Sequence, residues 1–168
     1  MTTRTKRVLA AVLALSAAYV GAWAAAFPLS FYRSFPLAGR GWVSMLGPYN
    51  EHLTRDVGGL YLALFVMTAW AVLRPSPEIF RVAGWSWLVF NGVHLAFHSA
   101  HLDMFGMADK IGNIVALGGS LILSALLVIP ERSIPQRSIP DRSNAERSSG
   151  RTVDPERSSG RRTRIEHR

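Results

Sequence analysis

Apolar positions along the chain gather into four long windows, residues 8–27, 57–73, 82–100 and 111–129, separated by short polar interruptions. Each window runs 17 to 20 residues. That is close to the ~20 residues that a helix rising about 1.5 Å per residue needs to cross about 30 Å of hydrocarbon. A helix on the surface of a soluble protein keeps a polar face opposite its apolar stripe. The first, second and fourth windows carry no charged residue on any face. The pattern predicts an all-α protein, a four-transmembrane-helix bundle over residues 1–129.

From residue 130 the pattern breaks. PERSI, PQRSI, PDRSN, AERSSG and PERSSG follow as imperfect repeats, without an aromatic residue and with few apolar ones. Such a segment has too little to bury to offset its chain entropy, so residues 130–168 are expected to be a disordered cytoplasmic tail. Ten arginines against six acids leave it at +4. That charge suits a solvated extension that reinforces topology, or a tether to an anionic leaflet tuned by phosphorylation.

The first window has a second reading. Arg4, Lys6 and Arg7 ahead of an apolar run, with small residues around Ala22–Trp23–Ala24, also fit a cleaved signal peptide over residues 1–24. Tyr19, Trp23 and an alanine every four residues (Ala10, Ala14, Ala18, Ala22, Ala26) favour a helix that stays and packs closely. Orientation follows from Lys and Arg. The N-terminus, the 74–81 loop and the tail hold 15, whereas the 28–56 and 101–110 loops hold four. The basic side faces the cytoplasm, which predicts an inner (plasma) membrane protein with both termini inside.

Composition adds exclusions. Apolar residues make up 49% of the chain and the formal net charge is +8. With no cysteine there is no disulfide, thiolate ligand or cysteine nucleophile. Nothing resembles a folded nucleic-acid module, so the expected partners are the lipid bilayer and a membrane protein or a second copy of the chain.

The candidate chemistry lies at the outer ends of the helices. In NGVHLAFHSAHLD, residues 91–103, the spacing 3, 4, 3 sets Asn91, His94, His98 and His101 on one helical face, with Trp87 continuing it inward. In GPYNEHLTRDVGG, residues 47–59, Asn50 is a predicted N-cap with Glu51 in the first turn. His52, Arg55, Asp56 and Gly59 then share a face. The fourth window is preceded by Asp109 and Lys110 and contains Asn113; Gly112, Ala116, Ser120 and Ser124 form a small-residue strip. Ionisable groups are costly in lipid and turn toward the bundle interior or one another. The expectation is one polar pocket in the outer half, with Asn91, Glu51, Arg55, Asp56, Asp103, Asp109 and Asn113 as its candidates.

Three uses of that pocket stay open. His94 and His98 at i and i+4, with His101 and His52, are candidate ligands for a transition metal or a haem, with Glu51, Asp56, Asp103 or Asp109 completing the set. The same groups can pin the helices by pairing with each other. The pocket can also take a small molecule, a lipid headgroup or a proton. No G-x-S-x-G turn or H-E-x-x-H helix is present. The loop of residues 27–50, rich in Phe, Tyr and Trp with Arg33 and Arg40, reads as an interfacial belt or a roof over the pocket.

GPYNEHLTRDVGGLYLAL, HLAFHSAHLD and DKIGN together resemble a group of small four-helix membrane proteins of high-GC bacteria, similar to DoxX-like proteins. The resemblance covers about residues 8–129. It implies a four-helix membrane fold and no particular reaction; the redox links of DoxX relatives have no thiol to rest on here. The reading is a non-enzymatic membrane component or small-ligand binder. The alternative is a metal-dependent membrane enzyme or redox subunit using His94, His98 and His101.

Overall fold

The computed structural model of the protein describes residues 1–130. The disorder expected over 130–168 therefore falls almost wholly outside the described residues. Five α-helices and no strand occur among the described residues: α1 Thr3–Ala26, α2 Pro28–Ser34, α3 Glu51–Leu73, α4 Pro77–Ala100 and α5 Met107–Val128. A 3₁₀ turn, Leu102–Met104, joins α4 to α5.

The long helices start four to six residues before the apolar windows that predict them. Three of the four, α1, α3 and α4, begin at a side-chain cap. Thr2 Oγ1 accepts from the Thr5 amide at 3.2 Å, Asn50 Oδ1 from Leu53 at 3.0 Å and Ser76 Oγ from Ile79 at 3.3 Å. Each such cap satisfies one orphan N–H and is worth ~1 kcal/mol. At the third start, the Glu78 carboxyl is held below the usual carboxylate range by its own backbone N–H and the Ser76 hydroxyl.

The four long helices run alternately up and down. α1 lies most extensively against α3 and α4 against α5; the α3–α4 and α1–α5 contacts close the bundle. Glycine sets how near α1 and α3 come. A Cβ on Gly58 would sit 2.5 Å from the Ala25 nitrogen, and one on Gly21 would sit 3.0 Å from the Leu62 nitrogen. The two backbones touch there, the arrangement that small residues permit in membrane bundles.

The small-residue seam differs from the predicted one. Ala10 and Ala14 are buried, but the stripe continues through Ala17, Gly21 and Ala24, while Ala22 and Ala26 are exposed. A step of four residues turns the helix about 400°, so an every-fourth stripe drifts ~40° per step. Alternating steps of four and three keep to one face, and that is the face buried.

Leu13, Leu64, Phe80, Trp87 and Leu127 form the apolar centre. Trp87 Nε1 donates to Thr68 Oγ1 at 2.8 Å, and that hydroxyl donates to the Leu64 carbonyl at 2.6 Å. At the basic end Lys6 is fully buried. Its Nζ donates to the Leu127 carbonyl at 3.1 Å and lies 5.7 Å from the Phe80 ring centroid. The ammonium thus meets one of the unpaired carbonyls at the end of α5 and the negative face of an aromatic ring.

Helices α1, α3 and α5 are long and apolar enough to cross a membrane, which makes this a membrane protein. Helix α4, with 24 residues, is as long. Its composition is more polar, through Asn91, His94, His98 and two serines.

Candidate functional site

The histidine-bearing end of the bundle, the outer end of the orientation that the charges predict, is built from the C-terminal turns of α1 and α4 and the N-terminal turns of α3 and α5, joined by the segment around α2. Helix α4 follows the predicted face. Trp87, Asn91 and His98 are buried, and His94 is partly covered. Asn91 Nδ2 donates to Ser124 Oγ of α5 at 3.0 Å, and Ser124 Oγ donates to the Ser120 carbonyl at 2.6 Å.

One turn further out the imidazoles begin. The His94 ring stacks on Phe90 at 5.2 Å and stands 4.6 Å, centroid to centroid, from His98. Phe105 lies parallel to the His98 ring at 6.4 Å. Asn113 of α5 is the polar side chain beside that ring. It is 1% exposed, and its Nδ2 donates to the Asp109 carbonyl at 3.0 Å. Two buried atoms here, His98 Nδ1 and Asn113 Oδ1, meet no hydrogen-bond partner. Leaving a buried polar group unpaired costs about 1–3 kcal/mol. His101 turns away from the pair: it stacks on Phe97 at 4.3 Å, and its Nδ1–H donates to the Phe97 carbonyl at 2.8 Å.

Helix α3 corrects the expectation. The face it buries is that of Thr54 and Gly58; Glu51, His52, Arg55, Asp56 and Gly59 are all exposed. Residues 55 and 56 lie about 100° and 200° round the helix from Thr54, so once Gly58 packs on Ala25 their side chains point out. There they pair with each other. Arg55 bonds Glu51 Oε1 at 2.9 Å, and His52 Nε2 stands 3.3 Å from Asp56 Oδ2. Arg55 also donates to the Ala25 carbonyl, one of the unpaired acceptors at the end of α1.

Asp109 has partners that the spacing of residues did not indicate. Arg40 Nη1 reaches its Oδ1 at 3.0 Å and Trp42 Nε1 donates to the same oxygen at 2.9 Å. The Trp42 ring lies on Gly112, where a Cβ would come within 2.9 Å of it. Trp42 also meets Phe35 and Phe105 edge-on, and Tyr19 and Trp23 extend the aromatic group along α1. The Tyr19 hydroxyl donates to the Pro36 carbonyl at 2.7 Å. The loop is therefore a strap from α1 across to α5, with α2 as its helical part. Asp103, in the 3₁₀ turn, is exposed and forms no ion pair among the described residues.

The candidates do not share one cavity. Those of α3 face outward, Asp109 is taken by the strap, and Asn91, His98 and Asn113 lie between α4 and α5. Among the described residues no three His, Asp or Glu side chains come together as a set able to hold a metal ion. His52 stands apart from the imidazoles of α4, which bring only His94 and His98 together. A concavity of about 420 Å³ touches His94, but Val89, Phe90, Val93 and Phe97 make the rest of its wall. Compared with family models, with curated proteins and with solved structures, the chain matches none.

Proposed function

We propose that the protein is a four-span integral membrane protein of the inner membrane, N- and C-terminus inside, acting as a non-enzymatic membrane component. The surface of α4 supports a fourth span. Val82, Trp85, Val89, Val93 and Phe97 are exposed at successive turns along one side, about 22 Å of apolar stripe. A water-facing stripe of that kind is costly, and acyl chains cover it well. Of the polar residues that make α4 less hydrophobic in composition, Asn91 and His98 are buried. The resemblance to DoxX-like four-helix proteins belongs to the same reading.

One observation carries the role. Arg40 and Trp42 of the strap hold Asp109 of α5, Arg55 of α3 donates to the Ala25 carbonyl of α1, and Asn91 of α4 donates to Ser124 of α5, whereas the Arg55–Glu51 and His52–Asp56 pairs lie within α3. This is a network that holds helices and strap in register. A second reading, a metal-dependent membrane enzyme or redox subunit, draws on the 4.6 Å approach of His94 to His98 and the unpartnered His98 Nδ1.

Metal analysis and thermal melts of detergent-purified protein, wild type against His94→Ala plus His98→Ala, separate the two. The structural reading expects metal-free protein and a lower melting temperature in the variant. A stoichiometric transition metal, lost in the variant, overturns it in favour of the second.

A further inference from the structure

The opposite end of the bundle holds a groove of about 420 Å³ lined by Thr3, Arg4, Arg7, Val8, Ala11 and Pro75. Arg4, Arg7, Val8 and Ala11 follow the spacing 3, 1, 3, which sets them along one face of α1. The order along that face matters. Two arginines stand at the mouth, and the apolar floor lies up to about 10 Å further in.

Both arginines are exposed, and no ion pair engages either among the described residues. Arg74 adjoins Pro75 on the neighbouring loop. Glu78 is the one acid among the described residues of this end, and it forms no ion pair with Arg4 or Arg7. Among the described residues, then, no acid faces the groove's positive charge, which stands above a greasy wall at the end of a helix apolar enough to span a membrane.

We infer that this groove seats one anionic phospholipid, its phosphate between Arg4 and Arg7 and an acyl chain along Val8 and Ala11. Charge and shape both select that occupant. A free anion has no use for the apolar floor, and a zwitterionic lipid brings its ammonium against the arginines. Guanidinium groups also bind phosphate oxygens in pairs, which fixes a headgroup more firmly than diffuse attraction does. The inference is independent of what the outer end does.

The test uses the purified full chain in neutral detergent. It is mixed with phosphatidylglycerol or phosphatidylcholine of identical acyl chains, and retained lipid is counted by native mass spectrometry. Phosphatidylglycerol is expected to be retained preferentially. At about fivefold per basic residue, Arg4→Gln plus Arg7→Gln lowers its retention about 25-fold. Phosphatidylcholine retention stays as it was. Arg33→Gln at the other end changes neither lipid, and Arg4→Lys plus Arg7→Lys keeps most of the preference.

Ala11→Trp fills the floor and lowers phosphatidylglycerol retention with both arginines in place. This second variant keeps the test decisive if the glutamine pair does not fold. Equal retention of the two lipids overturns the inference. So does an unchanged count in the glutamine pair, an unchanged count with the floor filled, or displacement of the lipid by inorganic phosphate at matched ionic strength.

Discussion

Helices α3 and α4 both carry histidines and other polar residues at their outer ends, and the bundle treats the two sets in opposite ways. On α3, Glu51, His52, Arg55 and Asp56 face outward and pair along the helix surface. On α4, Asn91 and His98 turn in against α5. Two physical differences account for this. An ionised carboxylate or guanidinium costs far more to bury than an amide or a neutral imidazole, which one hydrogen bond can largely satisfy. The interfaces also differ in room. At Gly58 the α1 backbone leaves no space even for a Cβ, whereas the facing surfaces of α4 and α5 hold Asn91, His98 and Asn113 between them. Polarity of a residue therefore does not decide which way it points. At this end of the bundle, charge and the closeness of the neighbouring helix do.

The sharpest way to break this contrast is to put a charge where α4 has an amide. Asn91→Asp buries a carboxylate between α4 and α5 and is expected to cost ~3 kcal/mol, whereas Asp56→Asn on α3 stays within ~0.5 kcal/mol. Thermal or denaturant melts in detergent read both. Similar losses at the two positions would erase the distinction.

Second in size is the close approach of α1 and α3. Gly58→Leu is expected to cost ~2 kcal/mol by forcing the helices apart. Gly59→Leu, where a Cβ meets nothing within 4 Å, is expected to be nearly neutral. Adjacent glycines on one helix then report its buried and exposed faces in the same assay.

A smaller effect is expected at the strap. Asp109→Ala removes the shared acceptor of Arg40 and Trp42, at ~1 kcal/mol. Faster protease cleavage within residues 36–48, with helix content unchanged by circular dichroism, is the expected readout. Smallest of all is the α3 rim, where Glu51→Gln or His52→Ala is expected to change stability by less than ~0.5 kcal/mol, as exposed ion pairs generally do.

Much of the fold was legible because two signals repeat along the chain. Apolar windows located the four long helices, and a capping residue such as Asn50 marked where one begins. The inward face of α4 was legible too, since Trp87, Asn91 and His98 recur at steps of four and seven residues that stay on one side. The α1 stripe was misread because four-residue steps drift round a helix. The α3 face was misread because its charged residues also fall at helical spacing, and spacing does not say which face the neighbour takes. What decided it was Gly58 against Ala25, a contact between two helices. The role of Asp109 was hidden for a similar reason: Arg40 and Trp42 lie 69 and 67 residues away, in a loop whose path follows from no local pattern.

The cysteine-free sequence makes one measurement unusually direct. Asp56→Cys and His98→Cys, each reconstituted into vesicles with the outer end facing the medium, are exposed to a membrane-impermeant maleimide. Rapid labelling at position 56, with none at position 98 until the protein is denatured, is the predicted result. Equal labelling at the two positions would contradict an inward-turned α4.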